Sequence, residues 1–174
     1  MLALDTITLI DSASYACYRA SATLSWWKKF QPDDNRSSDE LLQDNDFLKY
    51  LWQQYTKGIN TYKNRIFVRD CPIDTIWRLK HHDGYKAGRG GFDKGNRPMG
   101  PMVKWLNAQV LEKDLGPVVR VAEAEADDVI AVYVNYIIQC NPNTNITIIS
   151  LDSDLIQLIS WGCNIEVYNP KSKT

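Results

Sequence analysis

Short apolar runs alternate along the chain with longer stretches whose apolar positions recur every three or four residues. Residues 6–10 (Thr-Ile-Thr-Leu-Ile) read as a short buried strand that ends at Asp11. Residues 12–24 read as a helix with Ala, Tyr and Cys on its apolar side. Residues 31–45 are polar and carry Pro32, so they read as a loop leading into a helix capped by Asp46. Phe47, Leu48, Leu51, Trp52, Tyr55 and Ile59 then share one helical face. Residues 65–69 read as a second strand, followed by Asp70. A glycine-rich, basic stretch occupies 80–100, and 101–114 look helical. Residues 117–121, 145–150 and 165–168 give three further strands. A strongly patterned helix over 123–139 and a short one near 154–160 lie between them.

Strands that alternate with helices argue for an α/β fold: a mostly parallel central sheet with helices on both faces. The 174 residues suffice for one domain, and 44% hydrophobic residues suffice for its core. No internal repeat is visible. The only shift in composition is the 80–100 stretch, which carries Gly84, Gly88, Gly90, Gly91, Gly95 and Gly100.

Charge narrows the partners. Twenty Lys and Arg against 21 Asp and Glu leave a net charge of −1, which excludes a uniformly basic nucleic-acid coat but not a local patch. Cys17, Cys71, Cys140 and Cys163 are widely spaced with no Cys-x-x-Cys pair, so they read as reduced thiols rather than a zinc site or a disulfide framework. No apolar run approaches the roughly 20 residues of a membrane span, and the N-terminus has no secretory pattern. The expectation is a cytoplasmic protein without a membrane partner. The six tryptophans read as packing residues, and His81 and His82 as exposed loop residues.

In an open α/β sheet, chemistry gathers outside the carboxyl ends of the strands. The acids of this chain stand there. Asp11 ends the first strand and Asp70 the second. Glu125, Asp127 and Asp128 open the helix after the third, and Asp152 and Asp154 follow the fourth. Seven carboxylates at one edge would repel unless divalent cations joined them. An all-oxygen donor set suits Mg²⁺ or Mn²⁺, and two such ions are the usual device for in-line displacement at a phosphodiester. Each acid also has a plainer reading. Asp11 and Asp152 suit helix caps, and Glu125 and Asp127 suit the positive end of a helix.

From Arg78 to Lys104 seven basic residues stand against two acids. Such a segment suits phosphate contacts, and Tyr85 beside Lys86 pairs a stacking ring with a charge. Its glycines imply mobility. A solvated loop explains the same composition.

Four blocks, in this order, resemble the 5′-nuclease family of flap endonucleases, polymerase-associated 5′-nucleases and bacteriophage 5′-nucleases, the phage ribonuclease H type included. They are Leu9-Ile10-Asp11-Ser12; Asp70 through Trp77-Arg78 to Tyr85-Lys86-Ala87-Gly88-Arg89; Ala124-Glu125-Ala126-Asp127-Asp128; and Ser150-Leu151-Asp152-Ser153-Asp154 with Gln157-Leu158. The resemblance implies a resolvase-like, PIN-like catalytic domain over 1–174 with a flexible basic arch near 80–100. It implies that Asp11, Asp70, Glu125, Asp127, Asp128, Asp152 and Asp154 hold or adjoin two Mg²⁺ or Mn²⁺ ions. Glu123 offers an alternative register to Glu125. Lys86 and Arg89 would act on the scissile phosphate, Tyr85 would stack near the terminal base, and Arg78 would support the arch or a phosphate. Lys94 and Arg97 would extend the nucleic-acid surface.

The implied activity is divalent-metal-dependent hydrolysis of phosphodiesters near DNA 5′ ends or flaps, or of RNA/DNA hybrids, in replication or repair. The implied setting is phage or bacterial. Relatives of this kind continue into a second aspartate pair and a helix-hairpin-helix module, which residues up to Thr174 do not supply. The expectation is therefore a fragment, a chain completed by a second one, or a reduced nuclease. Alternative readings are a nuclease-like domain that binds DNA ends or a replication partner without cutting, and a PIN-type ribonuclease. A phosphatase with an aspartyl nucleophile is disfavoured, because Asp11-Ser12-Ala13 lacks the Asp-x-Asp it needs.

Overall fold

The computed structural model describes residues 6–82, 85, 99–162 and 164–172. Five strands, β1 (Thr6–Asp11), β2 (Arg65–Arg69), β3 (Val118–Arg120), β4 (Asn145–Ile149) and β5 (Ile165–Tyr168), form one sheet in the order β3-β2-β1-β4-β5. Every pairing is parallel. The central strands β1 and β4 are apolar at nearly every inner position, as strands covered on both faces must be.

Side chains alternate across the sheet and feed two cores. Ile10, Phe67 and Ile149 pack against helices α1 (Ser12–Phe30), α3 (Asn45–Ile59) and α5 (Gly100–Glu112). Leu9, Val68, Ile146 and Ile148 pack against α6 (Ala126–Cys140) and a 3₁₀ helix, Ser153–Trp161. The expected three-layer α/β fold is present, with the parallel character complete.

Several boundaries differ from the sequence pattern, each for a local reason. Helix α1 runs on to Phe30, since no breaker intervenes before Pro32. A short helix, α2 (Ser38–Leu41), interrupts the expected loop, closed by a capping box between Ser37 and Glu40. The cap of α3 is Asp44 rather than Asp46, because Asp44 accepts the amides of both Asp46 and Phe47. Helix α6 starts at Ala126, three residues later than expected, because Glu123 has a left-handed backbone (φ 63°). Trp26, Trp77 and Trp161 are exposed rather than packed. His81 and His82 are exposed as expected, but His81 closes a short helix rather than lying in a loop, and Cys17, Cys71 and Cys140 are free thiols. Helix α4 spans Trp77–His81. No helix among the described residues is long and apolar enough to cross a membrane.

Candidate metal centre at the carboxyl edge

The chain builds β2 and β3 on one side of β1 and then crosses to build β4 and β5 on the other. The strand order therefore reverses at the β1–β4 boundary, where open α/β sheets open a crevice at their carboxyl ends. A cleft of about 340 Å³ lies there. Asp11, Asp70, Glu125, Asp127, Asp152 and Asp154 line it, with Ser14, Cys17 and Tyr85. Six of the seven acids read from the sequence thus share one cleft, drawn from four separate strand ends. Asp128 is not part of the lining, although Glu125, Asp127 and Asp128 each offer a carboxylate oxygen within 4.8 Å of the others.

Asp11 is the N-cap of α1. Its Oδ1 accepts the Ser14 amide at 3.0 Å, and its Oδ2 accepts the Ser150 hydroxyl at 2.9 Å. Ser150 in turn accepts the Asp152 amide at 3.0 Å, which ties the ends of β1 and β4 together. Burial pushes the Asp11 carboxyl up to about 6. The hydrogen bonds from Ser14 and Ser150 oppose that rise, and Asp70 adds to it. Asp70 accepts the first amide of α6, from Ala126, on Oδ1 at 2.8 Å. Asp152 caps the 3₁₀ helix through the Asp154 amide. Asp152 and Asp154 are exposed, and neither meets a Lys or Arg within ion-pair distance among the described residues.

The α6 side is balanced differently. Glu125 is buried and caps α6, in a reciprocal box with Asp128. Arg78 donates to Glu125 Oε2 at 2.6 Å and to both oxygens of Asp128, one of them at 2.9 Å. Trp77 Nε1 also donates to Asp128, at 3.2 Å. Tyr85 donates its hydroxyl to Glu125 and lies under the Arg78 guanidinium, 5.7 Å from ring centroid to Cζ. Burial and the adjacent Glu125 push the Tyr85 hydroxyl up to about 12, so it stays a donor at neutral pH. Burial also raises the Asp127 carboxyl, with Asp128 and Glu125 adding repulsion. Arg78 stands 3.8 Å from Asp127.

Arg78 is thus a counter-charge inside the acidic cluster. Glu123 pairs with Lys80 on the surface and stands outside the cleft. Lys86, Arg89, Lys94 and Arg97 lie outside the described residues. Sequence reasoning passed over Ser14, Cys17 and Ser150. Ser14 and Cys17 continue the helical face that Asp11 begins, at three-residue spacing. Ser150 stands two residues before Asp152, with no mark of its role.

Comparison with known proteins places this architecture. Residues 6–174 match the family model for the 5′-3′ exonuclease, N-terminal resolvase-like domain. The chain belongs to that family. Among solved structures, a bacteriophage T5 protein co-crystallised with metal ions superposes with a TM-score of 0.59 at 17% identity, covering 97% of this chain and 56% of that one. A T5 5′-exonuclease with divalent zinc bound gives 0.55 at 16%, over 97% and 56%. A T5 flap endonuclease variant in a pseudo-enzyme-product complex with DNA and metal ions gives 0.55 at 15%, over the same shares. The chain spans just over half the length of these structures. At such identities the likeness carries the fold. No match is found among the curated proteins.

Proposed function

We propose that this chain carries the carboxylate cluster of a divalent-metal-dependent 5′-nuclease acting on DNA, near 5′ ends or flaps. The observation that carries the reading is the meeting of six carboxylates from four strand ends in one cleft, with no Lys or Arg among its described lining residues. The donor chemistry fits a hard divalent ion. The acids offer oxygen only, and burial with the nearby Asp70 raises the proton affinity of Asp11 against the opposing hydrogen bonds from Ser14 and Ser150. Asp11, Asp70, Asp127, Asp152 and Asp154 would hold the ions, Mg²⁺ or Mn²⁺, with Glu125 at their inner edge. Asp128 adjoins them and fixes Arg78. When bound, such ions supply Lewis acidity and a lowered water pKa.

The chain's own residues supply the rest. Ser14 and Ser150 orient Asp11 by donating to its two oxygens. Arg78 and Tyr85 hold Glu125 in place. In this reading Lys86 and Arg89 neutralise charge that develops on the phosphate, Tyr85 stacks near the terminal base, and Lys94 and Arg97 extend the contact to the strand. The expected products carry a 5′-phosphate and a 3′-hydroxyl.

A flap substrate with Mg²⁺ or Mn²⁺ tests the reading in the native chain and in Asp127→Asn and Asp152→Asn. Cleavage that needs the metal and disappears in both variants supports it. Retained binding without cleavage, weakened by Lys86→Ala, would instead support a domain that holds DNA ends. Cutting confined to RNA would support a ribonuclease.

A further inference from the structure

Strand β2 carries an arginine at each end, and the two are treated differently. At the amino end Arg65 spends its guanidinium on the carbonyls of Ile59, Tyr62 and Leu115. At the carboxyl end Arg69, partly buried, makes no hydrogen bond and no ion pair among the described residues. Its register partner on β3 is a second arginine, Arg120.

Paired strands lie about 4.8 Å apart, so these side chains leave the sheet together. Val68 and Val119 belong to the α6 core. Arg69 and Arg120 therefore share the opposite face with Phe67 and Val118. Like charges set directly opposite in a sheet repel. Arg120 donates Nε to the Asp70 backbone oxygen at 2.9 Å, which fixes Arg120 beside a residue whose carboxylate lines the cleft. That bond leaves both terminal nitrogens of Arg120 without a partner among the described residues.

We propose that Arg69 and Arg120 form a clamp for a phosphate group of the nucleic acid, next to the carboxylate cleft and distinct from it. Two planar guanidinium forks at one spot match the tetrahedral oxygens of a phosphate, and an anion between them would offset their mutual repulsion. The pair sits at the carboxyl edge, on the side of β1 away from β4. A strand with one phosphate at the acids would therefore present a neighbouring phosphate to the arginines. The clamp rests on the nucleic-acid reading of the cleft and adds a direction to it, since the bound strand then crosses the edge from β4 toward β3. The anion is either an internal phosphodiester or a 5′-terminal phosphate.

The test is fluorescence anisotropy with a short single-stranded oligonucleotide in Mg²⁺, over a series of NaCl concentrations. Asp127→Asn is the parent, so no cutting competes. Arg69→Gln and Arg120→Gln are added singly and together, and each probe is made with a 5′-phosphate and with a 5′-hydroxyl. Each single change should weaken binding on the order of five- to tenfold and lower the salt slope by about 0.7, the value for one phosphate contact on a single strand. Melting temperature should hold or rise, since repulsion is relieved. A loss seen only with the 5′-phosphate identifies the terminal group, and an equal loss in both identifies an internal phosphodiester. Unchanged affinity and slope in the double variant would overturn the clamp, as would a parent that binds neither probe. Should Arg69→Gln fail to fold, Arg69→Lys, which keeps the charge but loses the fork, should weaken binding with a smaller change in slope. Cleavage by the otherwise native chain is scored separately. A chain that binds through the arginines but never cuts keeps the clamp and loses the nuclease reading.

Discussion

Asp11 and Asp44 are both aspartate caps, and their charges are handled in opposite ways. Asp44 accepts two amides at the start of α3 and a guanidinium nitrogen of Arg36 at 2.9 Å. Hydrogen bonds, first from Phe47 and then from Arg36, hold its carboxyl below the ordinary range. Asp11 accepts one amide and one hydroxyl at the start of α1, with no cation among the described residues, and burial drives its carboxyl up. Cap geometry alone therefore does not separate a structural aspartate from a functional one. The difference lies in charge balance: one cap is neutralised by the protein, and the other has no cation beside it among the described residues. The same division runs along this edge, where Arg78 answers Glu125 and its neighbour Asp128 while Asp152 and Asp154 have no such partner among the described residues.

The sharpest way to break this contrast is one substitution at both caps. Asn caps a helix as well as Asp does, so Asp→Asn removes charge and keeps the bond to the backbone. If the proposed reading holds, metal-dependent cleavage should fall by on the order of 10³-fold or more in Asp11→Asn, because the proposal makes Asp11 a metal ligand. It should be unchanged in Asp44→Asn. Single-turnover cleavage at saturating metal reads both. Equal rates in the two variants would reduce Asp11 to an ordinary cap. The next effect belongs to Arg78→Gln, which strips the α6 acids of their cation. Loss of a group that orients metal ligands costs about 10–100-fold in activity or metal affinity. The fold should weaken by roughly 1–3 kcal/mol, below the value for a fully buried pair because both Arg78 and Asp128 are partly exposed. Chemical denaturation with and without Mg²⁺ separates the two losses.

Much of this site was legible in the sequence because two strong signals coincide. Apolar runs such as Asn145–Ile149 mark buried strands, and the acids sit where those runs stop. The parallel sheet then gathers the run ends at one edge without further instruction. What was not legible depends on tertiary reach. Ser150 touches Asp11 across 139 residues, and Arg78 touches Asp128 across 50. No periodicity encodes such a pairing. Asp44 and Asp46 are indistinguishable as caps in the stretch Asp44-Asn45-Asp46, and only the observed backbone tells which side chain reaches the free amides. Arg69 and Arg120 each end an unremarkable strand, and it is the β2–β3 register that makes them neighbours.

Acidity sharpens the comparison through stability. A carboxyl whose pKa rises on folding binds more protons in the native state than in the unfolded one, so stability falls as pH rises between the two values. For Asp11 that window runs from 3.8 to about 6. The metal-free protein should lose on the order of 2–3 kcal/mol across it from this group. Asp44, lowered on folding, acts in the opposite sense: its contribution is present above the unfolded value and is lost as pH falls below it. Denaturation midpoints in EDTA, compared for native and Asp11→Asn chains, isolate the Asp11 share. The native curve should fall over that window relative to the variant. Addition of Mg²⁺ at pH 7 should stabilise the native chain more than Asp11→Asn. Parallel curves in EDTA would mean that Asp11 carries no uncompensated charge.

The smallest expected effect is the mirror image of the first. Asp44→Asn keeps the α3 cap and gives up only the charge that Arg36 answers on an exposed surface. Surface pairs of this kind contribute little, so the melting temperature should drop by about 1–2 °C at low salt and by less at high salt, where the pair is screened. Asp11→Asn, by the same replacement, should raise the melting temperature of the metal-free protein at pH 7. Opposite signs from one chemical change at two caps would show that the cleft trades stability for a charge the fold does not itself satisfy. Two drops of similar size would show that both aspartates serve the helices alone.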